Sequence, residues 1–269
     1  MLGDDGPPPS RAPWAKSAPA IFRRLWEGGA LERRDGAALA RLDWSRQTLA
    51  PRASFDCGDD LCILASGLAF RQRPAEAGAS QPISLVLPGD ICCYTGVTGH
   101  AAQSSLVSVV AASVMRAPFR SVATLCEHHP KILAAMLSNL ATDNETAEEL
   151  LISIGRRSAL ERVAHLFCEL EFRLRRMGLA RNGRYRLNLT QADIGAYLAL
   201  SAVHVNRTIQ ELRRRGLVSG RGGDVSLPDL GALRRLCGFS PAYLAADALS
   251  EPRPVPQHLQ ATVQAGATL

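Results

Sequence analysis

Between Ser201 and Leu212 the chain sets two groups of residues at helical spacing. Ala202, Val205, Ile209 and Leu212 recur at intervals of three and four and suit a buried face. Val203, Asn206, Arg207 and Gln210 recur at the same intervals on another side. That second set combines a small apolar group, two amides and a guanidinium, the residue types that contact base edges in a DNA major groove. His204, on the flank, can donate to a phosphate or a base. Ser201 opens this helix, and Thr190 with Gln191 opens a shorter one upstream. Free backbone amides at such helix starts favour phosphate oxygens. A polar face belongs to every amphipathic helix, however, and paired helices at this spacing also occur in bundles that never meet nucleic acid.

The neighbouring elements bear on that choice. Thr190 stands three residues before Asp193, the pattern of a capping box that starts a helix. The helix ends near Leu200 and Ser201 caps the next, which leaves a turn of three or four residues, the spacing of a helix-turn-helix. Downstream, Gly216-Leu217-Val218 and Val225-Ser226-Leu227 read as two short strands around the turn Arg221-Gly222-Gly223-Asp224. Such a hairpin forms a wing whose Arg221 would lie near a DNA backbone. From Gly155 to Gly238 sixteen arginines and seven acids leave a charge of +9. The whole chain carries +6, so the remainder is at −3. A basic C-terminal part on a mildly acidic remainder suits a polyanion partner for one domain, or a solvated arginine-rich surface.

The N-terminal half offers thiols. Cys57 and Cys62 have four residues between them, and Cys92 and Cys93 are adjacent. Four thiolates could bind zinc or an iron-sulfur centre or form a redox couple. Their spacing matches no established metal motif, and buried cysteine is a common core residue, so inert thiols are the plainer reading and no metal is assigned. Cys126, Cys168 and Cys237 fall in helical patterns as packing residues. A thiol enzyme using Cys93 with His100 lacks an identifiable third group, and His128-His129 fits a solvated helix start. No catalytic residue and no cofactor are therefore expected. Seven cysteines without a framework of spacings suit reduced thiols in the cytoplasm.

These candidates must be positioned by the rest of the 269 residues, 46% of which are hydrophobic, with a mean hydropathy of −0.01. The strongly apolar run Leu106 to Met115 is about half of the ~20 residues that cross a bilayer, so no membrane partner is expected. The start, with acids and Pro7-Pro8-Pro9, does not resemble a secretory signal. Residues 1–19 and about 250–269 read as flexible tails, and residues 22–42 as short helices broken at Gly28-Gly29 and Gly36. From about Leu49 to Phe119, the stretches Leu61–Leu64, Leu68–Phe70, Ile83–Leu87, Ile91–Tyr94 and Leu106–Met115 alternate with turn residues and predict a small antiparallel β-domain. Pro88-Gly89-Asp90 marks a tight turn. Beyond Pro130 the period is helical. Leu133, Met136/Leu137, Leu140, Ala147, Leu150/Leu151 and Ile154 lie near heptad spacing on a rod about 36 Å long. This stripe would bury against a partner helix or against its own β-domain. Asp143 and Asn144 interrupt it and could set register as a polar layer. Gly155 is expected to end the rod at a hinge, and Leu160, Val163, Phe167 and Leu170 form one face of the next helix, about Ser158 to Met177.

The run from Ser201 to Val218, with Gly155 to His165 and Leu189 to Gly195, resembles the winged-helix domain of the Crp/Fnr family of bacterial transcription regulators. The likeness is specific from Gly155 to Phe239. Upstream, Ser66-Gly67 and Leu87-Pro88-Gly89-Asp90 are similar to strand turns of that family's cyclic-nucleotide-binding-type β-roll. The resemblance implies an α+β fold with a flexible tail at 1–19, a sensor β-roll (jelly roll) at 20–129, and a dimerisation helix and hinge at 130–155. A winged helix-turn-helix at 156–240 and a tail at 241–269 complete it. It implies a homodimer joined through Leu133, Leu137, Leu140, Asn144, Ala147, Leu151 and Ile154. Its partners would be double-stranded DNA, read at two half-sites about 34 Å apart, and RNA polymerase. Val203, Asn206 and Arg207 fall at the family's base-reading positions, and Arg207 is the expected guanine contact. Ala202 and Val203 replace an arginine and a glutamate of the catabolite activator, so its operator does not carry over. Members that bind cyclic AMP carry Gly-Glu and Arg-Ser pairs where this chain has Cys93-Tyr94 and Ser104-Ser105. Cyclic AMP would leave its phosphate unpaired here and is not the expected effector, although backbone amides near Gly96 and Gly99 remain a conceivable nucleotide site. The iron-sulfur branch uses N-terminal cysteines, and this chain has none before Cys57. The expected function is DNA-binding regulation without catalysis, the signal being open. The alternative is a redox or metal sensor that uses Cys92 or Cys93.

Overall fold

A computed structural model describes residues 22, 24–25, 31–75, 80–94 and 104–244. The expected N-terminal tail, the break at Gly28-Gly29, the backbone around Gly96, Gly99 and His100, and residues 245–269 lie outside the described residues. Among the described residues, eight short strands form the N-terminal domain: β1 (Ser45–Leu49), β2 (Ser54–Phe55), β3 (Leu61–Ser66), β4 (Ala69–Pro74), β5 (Ser80–Val86), β6 (Ile91–Cys93), β7 (Ser105–Ser108) and β8 (Ala112–Ala117). They pair antiparallel in two four-stranded sheets, ordered β1-β8-β3-β6 and β2-β7-β4-β5. The inner faces enclose Leu49, Leu64, Val86, Leu106 and Val114. The apolar run expected as one stretch from Leu106 to Met115 is two strands. It breaks because Val109 leaves the ladder to donate its N–H to Leu68 O at 2.7 Å. Opposite that break Gly67 has φ +89°, and a Cβ there would stand 2.6 Å from that of Ala112, so the turn requires glycine. The turn at Pro88-Gly89-Asp90 is held by the Asp90 carboxylate, which accepts from Leu87 N at 2.9 Å.

Helix α1 (Arg33–Ala40) precedes the strands, and α2 (Phe119–His128) and α3 (Pro130–Arg156) follow them. Pro130 opens α3, where a missing N–H costs nothing. One face of α3 buries Ile132, Ala135 and Met136 against Leu61, Ile63 and Ile91 of the roll. The opposite face leaves Leu133, Leu137 and Leu151 exposed at 39%, 52% and 70%. The helix does not end at Gly155. It runs through to Arg156, since one glycine inside a helix costs only about 1 kcal/mol and leaves the hydrogen-bond ladder intact. The bend falls at Arg157, whose backbone is extended, before Ser158 caps α4 (Ala159–Arg176) with a complete capping box with Glu161. Arg162 clasps the corner by donating to Ile154 O at 2.6 Å, Arg157 O at 2.9 Å and Leu198 O at 3.2 Å.

The polar pair midway along α3 does not act as one layer. Asp143 turns inward, where its carboxylate accepts from Arg24 at 2.5 Å and from the Tyr94 hydroxyl at 3.4 Å, whereas Asn144 is exposed and donates to Glu148. Arg24 also pairs with the buried Asp90, and Asp90 pairs with Arg173 of α4 at 2.7 Å. Burial alone would raise the Asp90 pKa, but the Arg24 and Arg173 guanidiniums outweigh it and hold the carboxyl below its usual value. A line of alternating charge thus joins α3, the roll and the C-terminal domain.

The C-terminal domain continues with the hairpin β9 (Ala180–Arg181) and β10 (Arg184–Arg186), then α5 (Gln191–Leu198), α6 (Ala202–Arg214), β11 (Asp224–Ser226) and α7 (Leu230–Cys237). The wing differs from its expected form. Its first arm is a single bridge, Ser219 to Ser226, and β11 pairs instead with β10 in a sheet ordered β11-β10-β9. Residues Pro241–Leu244, expected in the tail, form a 3₁₀ turn in the fold. Leu244 is buried there, Arg176 donates to its carbonyl at 2.7 Å, and the Tyr243 hydroxyl donates to Glu169 at 3.0 Å. The two halves share one apolar cluster, in which Phe70, Leu85 and Leu87 of the roll pack with Leu170, Tyr197 and Leu198. Arg52, with φ +64°, grips the Asp193 carboxylate through two bonds of 2.6 and 2.9 Å across this contact.

Candidate nucleic-acid interface

The geometry of the helix pair follows from local chemistry. Thr190 and Asp193 form the full capping box: Thr190 Oγ1 accepts from Asp193 N at 3.1 Å, and the Asp193 carboxylate accepts from Thr190 N at 2.8 Å. Burial would raise the Asp193 pKa, but hydrogen bonds from Arg52 and Thr190 bring it below the ordinary value, so the cap stays charged. Helix α5 stops where Ala199 takes the left-handed conformation, φ +55°. The chain then folds back so tightly that a Cβ on Gly195 would lie 2.4 Å from Leu200 O, hence glycine at that position. Ser201 caps α6 by accepting from His204 N at 3.2 Å.

On α6, Val205, Thr208, Ile209 and Leu212 are buried. Ala202, expected in that set, is exposed, because as the first residue of the helix it precedes the point where the inward face meets the core. The other side presents Val203, His204, Arg207 and Gln210 to solvent, with Asn206 half-buried. Val203 is 64% exposed, so its methyl groups are open to an apolar group of a partner. Asn206 Nδ2 donates to Gln191 Oε1 at 3.0 Å, which ties the outer surfaces of α5 and α6 together. The arginines near the end of the helix are engaged: Arg213 donates to Gly220 O, and Arg214 and Arg215 pair with Glu211. Among the described residues, Arg207 makes no such bond, so its guanidinium is available to a partner. An open groove beside it is lined by Ser158, the cap of α4, and Leu160 of α4, together with Val203, His204 and Arg207.

The wing brings Arg221 to the surface on a tip of three glycines. Gly220 is required there, since a Cβ would fall 2.0 Å from Asp224 O. Exposed Arg184 and Arg186 lie on β10, the strand next to β11, and Arg181 pairs across from Arg184. Sequence reasoning missed this hairpin although Asn182-Gly183, both at positive φ, is a strong turn signal. It also missed Arg162 and Arg173, which are held in contacts inside the fold, so the +9 of residues 155–238 is not all available to a polyanion, and it missed Arg52, which reaches across from the roll to Asp193.

The thiols are placed differently from their spacing. Cys57, Cys62 and Cys92 are buried in one cluster of the roll, with Cys93 half-buried against it. Among the described residues no group of three or more histidines, cysteines or acids is arranged to hold a metal ion. Cys168 and Cys237 are buried, as expected of packing residues, while Cys126 is half-buried. Among the described residues no helix is long and apolar enough to cross a membrane.

Residues 161–236 match the Crp-like helix-turn-helix domain family. The chain is similar to the anaerobic regulatory protein of Haemophilus influenzae, 27% identical over 187 residues that cover 68% of this chain and 72% of the relative. It is also similar to the fumarate and nitrate reduction regulatory protein of Vibrio cholerae, 24% identical over 189 residues, 69% of this chain and 75% of that one. Among solved structures, FixK2 from Bradyrhizobium japonicum superposes with a TM-score of 0.65 at 20% identity, covering 74% of this chain and all of that one.

Proposed function

Because the chain belongs to the Crp/Fnr family of transcription regulators, we propose that it is a homodimer that reads a near-palindromic DNA operator with α6 of each subunit. The observation that carries this reading is the outer face of α6, where Val203, Arg207 and Gln210 are exposed and Arg207 has no hydrogen-bond or ion-pair partner among the described residues. Arg207 would pair with a guanine edge, Asn206 and Gln210 would hydrogen-bond to adjacent bases, and Val203 would meet a thymine methyl. His204 would donate to a phosphate or a base. Thr190, Gln191 and Ser201 would meet phosphates at the starts of α5 and α6, and Arg221 would meet the backbone from the wing. The protein acts in the cytoplasm on duplex DNA, positions or blocks RNA polymerase, and catalyses no reaction. Cys93-Tyr94 and Ser104-Ser105 supply neither the carboxylate nor the guanidinium that would hold a ribose and a cyclic phosphate, so cyclic AMP is not the expected signal.

The test is direct titration of duplex DNA with the full chain at several salt concentrations. Affinity should fall linearly on logarithmic axes, with a slope set by the phosphates neutralised. Arg221→Ala should weaken cognate and random duplexes alike and make the slope shallower by about 1. An unchanged slope would remove Arg221 from the backbone contact, and a flat salt dependence of the intact protein would remove DNA as its partner.

Dimerisation would use the exposed face of α3, where Leu133, Leu137, Asn144, Ala147 and Leu151 follow one another near heptad spacing, with Leu140 and Ile154 half-buried beside them. In a two-fold pair each leucine is buried twice. Leu151→Glu should therefore weaken association by about 3–6 kcal/mol, a factor of more than 100, while leaving the subunit's own thermal stability nearly unchanged. Sedimentation would show a monomer at concentrations where the parent is a dimer. A Leu151→Glu protein that remained dimeric would place the interface elsewhere.

A further inference from the structure

We infer that Cys62 and Cys93 are a modification site, a pair of thiols poised to form a reversible disulfide with a low-molecular-weight disulfide as oxidant. Cys62 on β3 and Cys93 on β6 are direct partners across an antiparallel pair. Directly opposed residues point to the same face with their Cα atoms roughly 4.5–5.5 Å apart, within the roughly 4.4–6.8 Å that a disulfide spans. The register shifts here, with Cys62 opposite Cys93 and Ile63 opposite Ile91, so Cys92 is the extra residue of a bulge with no cross-strand partner, and the adjacent pair is the poorer candidate.

Access and reactivity separate the four thiols further. Cys62 and Cys92 are fully enclosed, whereas Cys93, at the end of β6, is partly open to solvent and is where a small oxidant can arrive. Hydrogen bonding to Cys62 and Cys93, together with burial, pushes the Cys57 thiol up, and burial pushes Cys92 up, so both stay protonated and are weak nucleophiles. In the reaction the Cys93 thiolate attacks one sulfur of the small disulfide, which forms a mixed disulfide and releases one small thiolate. Cys62 gives up its proton as it attacks the Cys93 sulfur, and the second small thiolate leaves. Two protein thiols are oxidised and one small disulfide is reduced to two thiols, so atoms and electrons balance. The bond would fix the end of β6 to β3, one residue before Tyr94, whose hydroxyl donates to Asp143 of the dimer helix.

The inference does not rest on DNA binding, and its test has a separate readout. The full-length protein is equilibrated with mixtures of reduced and oxidised glutathione, remaining thiols are alkylated, and disulfide-linked peptides are mapped by mass spectrometry. The expected result is the loss of two of the seven thiols, a linked peptide joining Cys62 to Cys93, and full recovery with dithiothreitol. Cys93→Ser, a conservative change at a half-buried site, should abolish the loss while retaining the circular dichroism of the parent. Seven thiols remaining in oxidised glutathione would overturn the proposal. So would a bridge mapped only to another pair, such as Cys168 and Cys237, whose thiols also touch. Mapping of the parent decides the matter even if the serine variant folds poorly.

Discussion

Asp90→Ala should destabilise the folded chain by up to about 3–5 kcal/mol, because it removes the carboxylate shared by the buried Arg24 and Arg173 guanidiniums and leaves each with one partner, Asp143 and Glu169. Against a typical total of about 5–15 kcal/mol this is a severe loss, visible in urea or thermal unfolding. Both arginines are only 12–15% exposed in their side chains, so water cannot replace the missing charge. Asp90→Asn preserves the shape and isolates the charge. Folding lowers the Asp90 pKa, so the stabilisation is complete above the ordinary carboxylate range and disappears as pH falls through the lowered folded value. The difference in stability between the parent and Asp90→Asn should therefore be constant near neutrality and shrink in strong acid. A difference that grew on acidification would contradict the assigned pairing. The residue also joins the roll to α4 and, through Arg24, to α3. Loosening of the C-terminal domain, seen as faster amide exchange in α4, should accompany the loss.

Arg207→Ala should cost about 1–3 kcal/mol of operator affinity, roughly 5- to 150-fold, and relax the preference at one base pair of each half-site. The charge alone does not produce this effect. A planar guanidinium can bond a guanine edge through two parallel donors, and Arg207→Lys, which keeps the charge without the fork, should recover little of the discrimination. The contrast with Arg221 is the diagnostic feature, since a backbone contact weakens all sequences together. Equal losses for Arg207→Ala on operator and random DNA would reduce its role to a phosphate contact.

The helix pair was legible because its evidence is local. Thr190 and Asp193 lie three residues apart, and Val205, Ile209 and Leu212 repeat within a single helix. The strands were legible as apolar stretches between turn residues, although Val109 divided one run whose composition gave no sign of it. The hairpin at 180–186 was also within reach, since Tyr185 and Leu187 alternate with exposed arginines behind an Asn-Gly turn. The charge contacts were not. Arg24 meets Asp143, Arg52 meets Asp193 and Arg173 meets Asp90 across 119, 141 and 83 residues of sequence. A charged residue bears no mark of its distant partner. The thiols show the same limit, because the register that sets Cys62 opposite Cys93 exists only once β3 and β6 have paired.

The central claim is that two copies of α6 read a symmetric operator. Selection of bound fragments from a random duplex library by the purified full-length protein, at fixed salt and followed by sequencing, tests it most directly. Symmetric reading by two copies of α6 predicts a two-fold symmetric motif whose half-sites lie one helical turn, about 34 Å, apart. It also predicts that selection with Arg207→Ala blurs one position in each half. Recovery of a single asymmetric half-site, or of fragments with no shared motif, would contradict it.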